Sequence, residues 1–589
     1  MPTKQAQHLK EIILAQQPTK EQEAAIFAEE QEFLLRASPG SGKTWTSCRR
    51  FLWRAENWES KDGGLALLSF TNTAIKEFQA ATISAGRRGA LSDPHFVGTF
   101  DSFVERFIIT PFGHLACGTK KRPRLFLAAR PGDRKNKKLL VWAKTKDGKT
   151  LPIPAWEITP YVEGGKVCFK SSMGSGVFQL DGKQSLTALS AFMALGFYTH
   201  NQRNFWASHL LRKFPRITTT IARRFPEIIV DEAQDTGFWL INVLKHLRAS
   251  GARITLIGDP DQCIYEFSLA SASSLADLKA TWQLVEKPLN KSFRCNNAIA
   301  AAVRQISGNM NFEGCGEPQN EFEKAFVIGD SSVGFQRALA FFREQAKAAG
   351  VSESDSAILC RGHEQVAKIR GTVRYLELTG KTKQMAEAAF LRDKKGAFKK
   401  AFEITESVLR ELVDGEDFWS VVDEQPDSAE AQRVRLAIWG FVRSPESLPS
   451  IAMNGKAWME RLKTTMGSLL TILGVKDQPS LGTHFQRRGL DDGQMQLPLF
   501  DDHDLFPKIR FDTIHKAKGE SIGGVLVVGS KRFYDTLAKE VTSGVESEDK
   551  RLGYVAMTRA RHLLVIATPS EHLKAYAGFW NDRGFIPAD

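Results

Sequence analysis

Two short stretches of this chain carry residue types at the spacing that phosphoryl chemistry needs. Ala37-Ser38-Pro39-Gly40-Ser41-Gly42-Lys43-Thr44 follows an apolar run and precedes a helical pattern, the context of a phosphate-binding loop. Its glycines let backbone N–H groups turn toward a β-phosphate, and the helix N-terminus behind them adds positive potential. Lys43 reaches the β/γ oxygens and Thr44 can hold Mg2+. Ala37 stands where the general pattern has its first glycine, a change that the end of a strand tolerates. The complement is Ile228-Ile229-Val230-Asp231-Glu232-Ala233-Gln234-Asp235. Asp231 ends a buried strand, where a carboxylate binds Mg2+ through water, and Glu232 is placed to polarise the attacking water as general base. The two stretches together point to nucleoside triphosphate hydrolysis.

Such residues must be held by strands and helices in alternation. Phe33–Ala37, Leu65–Phe70, Ile228–Val230, Ile254–Ile257, Val525–Val528 and Leu563–Ile566 are short apolar runs, each followed by turn residues, with one more at Ala357–Cys360. Runs of this kind read as buried parallel strands, and their alternation with helical patterns implies doubly wound α/β sheets. They fall into two groups, so the fold class expected is α/β with two P-loop-type cores, each interrupted by a mainly helical insertion. The boundaries expected are 1–107 with 206–285 for the first core and 108–205 for its insertion. The second core takes 286–377 with 506–589, and its small insertion 378–505 ends in an acidic, turn-prone linker.

The composition is that of a globular protein, 42% hydrophobic and 25% charged over 589 residues, too long for one ordinary domain. A formal net charge of +13 favours a polyanionic partner through counterion release. The basic clusters Lys120-Lys121-Arg122, Arg134–Lys138, Lys394-Lys395 and Lys399-Lys400 read singly as solvated faces. Seven scattered cysteines without a C-x-x-C spacing argue against a zinc site, an iron–sulfur cluster and a disulfide framework. No apolar signal core and no run of roughly 18 apolar residues is present, so a cytoplasmic protein with no membrane partner is expected.

On these residues and those that follow, the chain resembles superfamily 1 helicases of the UvrD/Rep/PcrA type along nearly its whole length. The motifs stand in the family's order. Thr19-Lys20-Glu21-Gln22 looks like the Q motif, so Gln22 would read the adenine edge. Ser69–Ala74 and Gly98–Phe103 look like DNA-contacting motifs, offering Phe70, Thr71, Asn72, Thr99 and Phe100. Gly258–Phe267 matches motif III, with Gln262 as γ-phosphate sensor and Tyr265 and Phe267 against DNA bases. Leu289–Arg294 matches motif IV, in which Phe293 would stack on the nucleotide base and Arg294 contact the γ-phosphate. Thr513–Glu520 matches motif V, which brings His515 to DNA and Glu520 to the ribose. Tyr554–Ala560 matches motif VI, making Arg559 a second arginine finger. The resemblance implies two RecA-like cores, ATP and Mg2+ as cofactors, and Ser38, Gly40, Ser41, Gly42, Lys43 and Thr44 around the phosphates.

The chain departs from the family's pattern in places. Phe267-Ser268-Leu269-Ala270 replaces Trp-Arg-Gly-Ala, and Lys518-Gly519-Glu520 lacks the leucine of Lys-Gly-Leu-Glu. The Gly-Gly-x-Phe-Phe segment of the second insertion is absent, that insertion is short, and little chain follows motif VI to carry a fused nuclease. Gln496-Leu497-Pro498-Leu499-Phe500, between Asp491-Asp492 and Asp501-Asp502, looks like a sliding-clamp docking motif through Gln496, Leu497, Leu499 and Phe500. The alternative is a loop packing its own apolar residues. The function expected is an ATP-dependent 3′→5′ helicase or translocase on single-stranded or tailed DNA, in repair, replication or phage defence. One alternative is the motor subunit of a nuclease complex, as in Gabija-type defence systems, unwinding little by itself. Another is a nucleotide-gated DNA sensor or scaffold that does not cycle.

Overall fold

Phe33–Ala37, Leu65–Ser69 and Glu227–Val230 are buried on both faces, and in the computed structural model they form the centre of a parallel sheet. The structure describes residues 4–588 except 61, 127–135, 145–149, 174–175, 265–271, 316–323, 332–334, 363–364, 367–368, 370–379, 414–417, 420–421, 423–427, 476–477, 487–508 and 546. The first sheet has six strands in the order Val285–Leu289, Phe33–Ala37, Arg253–Gly258, Glu227–Val230, Leu65–Ser69, Phe96–Thr99, every pair parallel. The second is built alike, in the order Arg510–Thr513, Ser356–Cys360, Ile522–Val528, Ala560–Pro569, Lys324–Asp330, Ile586–Ala588.

The side chains of each strand feed two cores by simple alternation. Phe33, Leu35, Leu65, Leu67 and Ile229 join one cluster, while Leu34, Ala66, Leu68, Ile228 and Val230 join another on the opposite face. In the second sheet Ala357, Leu359, Val525 and Val527 face one way and Ile358, Leu526 and Val528 the other. Helices cover both faces, as parallel sheets require. The α/β doubly wound class read from the sequence is what the chain adopts.

The insertions differ from each other. The first is mixed rather than mainly helical. Thr159–Glu163, Lys166–Met173 and Gly176–Leu180 form an antiparallel sheet, and Leu140–Lys144 pairs with Thr150–Pro154. A two-residue turn at Gly164-Gly165, with φ of +55° and +75°, closes the first hairpin, which needs two left-handed residues. The apolar residues of this insertion merge with one face of the first sheet in a single cluster. The second insertion is helical in its described part, with Gly380–Lys395, Phe398–Leu412, Ala429–Arg443 and Gly455–Ile472 around a separate core. Elements also run across two of the expected boundaries. The first sheet runs on to Leu289, and one helix spans His200–Lys213.

A buried triad ties the last helix to the second core. Trp580 donates from Nε1 to His572 Nε2 at 3.2 Å, which leaves the proton on Nδ1, 2.7 Å from Asp535 Oδ1. His572 is fully buried, and its pKa is lowered by burial, with Asp535 opposing and Lys531 assisting. A histidine depressed in this way favours folding in its neutral form, fully so above its unfolded pKa near 6.5, and the contribution is lost as pH falls through the lower folded value. Urea unfolding at pH 8 and pH 5 checks this. The wild type is expected to lose more stability on acidification than His572→Gln does.

Candidate functional site

The strand Phe33–Ala37 runs into a turn in which Gly40 and Gly42 take φ of +72° and +75°. The helix Lys43–Glu56 starts directly behind it. Left-handed backbone at both positions turns consecutive N–H groups to one side. Space allows nothing larger: a Cβ on Gly40 would lie 2.5 Å from the Arg294 Cβ, and one on Gly42 2.8 Å from Gln22 Nε2. Ser38, Ser41 and Gln22 are buried around the loop. Gln22 accepts from the Thr19 N–H at 3.0 Å and donates to the Ser41 carbonyl at 3.1 Å. It therefore braces the phosphate loop as well as standing at its mouth.

Opposite the loop, Asp231 and Glu232 follow the strand Glu227–Val230. Glu232 takes φ of +56°, a strained value for a residue with a side chain and one that clusters at functional sites. Its carboxylate meets Lys43 Nζ at 2.5 Å and accepts from Gln234 Nε2 at 2.5 Å. Burial raises the Glu232 carboxyl, but Lys43 and Lys518 outweigh that and hold it low. Asp231 is raised, by burial first, with Lys43 opposing and Glu232 adding to the rise. Lys43 stays charged because Glu232 and Asp231 outweigh its burial. The Asp231 Oδ1 is buried without a partner among the described residues. A hard divalent cation fits that lone oxygen, and Thr44 lines a cleft together with the neighbouring Glu232.

The second core closes the site. Arg559 is completely buried and donates to Gln262 Oε1 at 3.1 Å, to the Val555 carbonyl at 2.9 Å and to Thr558 Oγ1 at 3.0 Å. Arg294 lies against the phosphate loop and reaches the Thr558 carbonyl at 3.3 Å. All of these acceptors are neutral oxygens. Burial, with Arg294 close by, brings the Arg559 guanidinium down to about 9. Further contacts cross the seam. Lys518 meets Asp235 at 2.6 Å, Arg551 the Cys263 carbonyl at 2.7 Å, Tyr554 the Asp259 Oδ2 at 3.2 Å, and His515 Nε2 the Ile264 carbonyl at 3.2 Å. Phe293 is 52% exposed, and its N–H donates to the Gly40 carbonyl at 2.8 Å.

The geometry brings Gln22, Ser38, Lys43, Asp231, Glu232, Gln262, Phe293, Arg294 and Arg559 to one place. Other expected residues sit differently. The Glu520 carboxylate is taken by Arg510, although Glu520 lines the cleft with Thr44. Phe100 is 1% exposed and packs on Phe70, ring centres 5.5 Å apart, so it backs a surface rather than forming one. Thr71 and Thr99 cap helices through their hydroxyls, and Asn72 is exposed beside Thr71. Phe70 and Thr71 line a cleft of about 1440 Å³ that also reaches Lys170, Trp239 and Lys516. Tyr265, Phe267 and the Gln496, Leu497, Leu499 and Phe500 of the expected clamp motif lie outside the described residues. Sequence reasoning missed Gln234, Tyr554 and Asp259 as members of the site, although each stands inside a motif.

A phosphate loop on one parallel core, with two arginines delivered to it at the seam with another, defines a two-core P-loop architecture. Comparison with known families agrees: the UvrD/REP helicase N-terminal domain matches residues 18–150 and 184–283, and the UvrD-like helicase C-terminal domain matches residues 494–571. The chain belongs to the UvrD/Rep helicase family. It is 22% identical to DNA helicase II of Salmonella typhimurium over 92% of this chain and 83% of that protein. It is 24% identical to the ATP-dependent DNA helicase Srs2 of Schizosaccharomyces pombe over 45% of this chain and 31% of that one. A third relative, the RecBCD enzyme subunit RecB of Borreliella burgdorferi, is 24% identical over 33% of this chain and 21% of that one. The chain thus spans about a third of Srs2 and 55% of a probable DNA helicase of Mycoplasma pneumoniae. No helix among the described residues is long and apolar enough to cross a membrane.

Gly40→Ala tests the loop geometry. The added methyl meets Arg294 and forces a left-handed conformation worth about 1–3 kcal/mol of strain. Binding of a fluorescent ATP analogue is expected to fall by at least about tenfold, while far-UV circular dichroism stays that of the wild type.

Proposed function

We propose that the chain is an ATP-driven motor that moves 3′→5′ along single-stranded DNA and opens tailed duplexes. The observation that carries this reading is the pair of guanidiniums at the seam, Arg559 fully buried and Arg294 half-buried, bonded, among the described residues, to neutral oxygens only. A buried charge without a counter-charge is costly, and a polyphosphate on the adjacent loop would offset that cost. In this division of labour the two cores carry the motor residues.

The phosphates of ATP are taken by the loop Ser38–Thr44 and by Lys43, and the base lies between Gln22 and Phe293. Thr44 and Asp231 hold Mg2+, which when bound neutralises charge on the phosphate oxygens. Glu232, once Lys43 has turned to the phosphates, is free to accept the proton of the attacking water. Arg294 and Arg559 supply positive charge where it develops in the transition state, and Gln262 reports the terminal phosphate to the second core. Because both arginines are fixed at the seam, hydrolysis and relative movement of the cores are coupled. Phe70, Thr71, Asn72 and Thr99 grip the strand on the first core, where Tyr265 and Phe267 of motif III stack on bases, and His515 holds it on the second.

A second reading, a motor working inside a nuclease complex, is favoured by relatives named exonuclease/helicase subunit RexA and RecBCD enzyme subunit RecB. ATP turnover with and without single-stranded DNA tests both. Turnover is expected to rise strongly with DNA and to collapse, by about 10²-fold or more, in Glu232→Gln. A 3′-tailed duplex is expected to open and a 5′-tailed one to remain closed. Turnover with DNA but without opening of either duplex favours the nuclease-complex reading, and DNA binding without turnover contradicts both.

A further inference from the structure

Gln234 lies within hydrogen-bonding reach of the general base on one side and of motif III on the other. Its Nε2 donates to Glu232 at 2.5 Å, and its Oε1 accepts from the Asp259 N–H at 3.1 Å. The Asp259 carboxylate in turn accepts from Gln262 Nε2 at 2.6 Å and from Tyr554 Oη at 3.2 Å. Gln262 presents its remaining oxygen to Arg559. Gln234, Asp259, Tyr554 and Arg559 are all at most 2% exposed, and Gln262 is 7% exposed. Gly258 leaves the room, because a Cβ there would lie 2.4 Å from Gln234 Oε1. An amide wedged in this way has one orientation that satisfies both neighbours, since the donor must face the carboxylate and the acceptor the N–H.

We propose that Gln234 and Tyr554 are positioning residues that relay closure of the second core to the general base. The relay runs from Tyr554 through Asp259 and Gln234 to Glu232, and Arg559 enters it through Gln262. When the cores separate, Asp259 loses the Tyr554 hydroxyl, the hold on Gln262 and on the backbone that orients Gln234 relaxes, and Glu232 is no longer aimed. Hydrolysis is then confined to the closed arrangement, which protects a motor from turning over without a step. Both side chains are engaged by protein groups within the relay, Gln234 by Glu232 and the Asp259 N–H and Tyr554 by the Asp259 carboxylate. Their effect belongs on kcat, not on nucleotide binding, and because they act in series their losses should not multiply.

The inference rests on the proposed ATPase activity, so the wild type is measured first. Absence of DNA-stimulated turnover there contradicts that activity itself, and turnover there makes the relay testable. Gln234→Met keeps the volume and removes both hydrogen bonds, and Tyr554→Phe removes only the hydroxyl. Gln234→Met is expected to lower DNA-stimulated kcat by about 10–100-fold, as loss of an orienting partner does, with KM for ATP and the affinity for a fluorescent ATP analogue within about twofold. Tyr554→Phe is expected to lower kcat less, and the double variant to be no slower than Gln234→Met alone. Wild-type kcat in Gln234→Met, a loss carried by KM, or multiplying losses in the double variant would overturn the relay. If Gln234→Met does not fold, Tyr554→Phe decides alone: unchanged kcat overturns the relay, and reduced kcat at unchanged KM supports it.

Discussion

Positive charge at the seam between the two cores has to be matched, and only part of it is. Lys43 has Glu232 and Lys518 has Asp235, but among the described residues Arg294 and Arg559 bond only to carbonyl, amide and hydroxyl oxygens. Taking a guanidinium out of water costs several kcal/mol unless a charge or a full set of hydrogen bonds compensates it. Neutral oxygens do part of this. They also hold the fork in place, so that little reorganisation remains when an anion arrives, which is the preorganisation that electrostatic catalysis needs. Most of the other features described here serve that arrangement, from the left-handed glycines that bring the loop under Arg294 to the helix ending in Met557 that carries Arg559 inward.

The two insertions bear differently on movement between the cores. The first shares its apolar interior with one face of the first sheet and therefore moves with that core. The second has an apolar interior of its own. Residues of the first core, the first insertion and the second core line one large cleft together, among them Glu232, Lys170 and Lys516.

Much of the site was legible in the sequence because backbone geometry dictates it. A phosphate loop requires glycine at the left-handed turns, and Gly40 and Gly42 stand there. The central strands were legible because burial on both faces demands unbroken apolar runs. The edge strand Val285–Leu289 was not, since an edge tolerates the exposed Val285 and the part-exposed Glu286 and Lys287. The antiparallel strands of the first insertion were hidden because the sequence does not alternate where burial does: in Leu140–Lys144, Val141 and Ala143 point inward while the apolar Trp142 faces solvent with Lys144. The Gly164-Gly165 turn was the signal available for them. Phe100 was expected at a DNA surface because Gly98–Phe103 resembles a DNA-contacting motif, but its burial against Phe70 depends on a fold no local pattern reveals. Gln234 stands in a recognisable motif, yet its partner Asp259 comes 25 residues later and the Tyr554 hydroxyl 295 residues from Asp259.

In the proposed motor one nucleotide pocket is completed by both cores. Single-turnover hydrolysis by Arg294→Ala and Arg559→Ala, alongside their affinity for an ATP analogue, tests it most directly. Each variant is predicted to keep nucleotide affinity within about tenfold and to lose about 10³-fold or more in the hydrolysis step, as arginine fingers do. Hydrolysis at the wild-type rate in either variant would contradict the account.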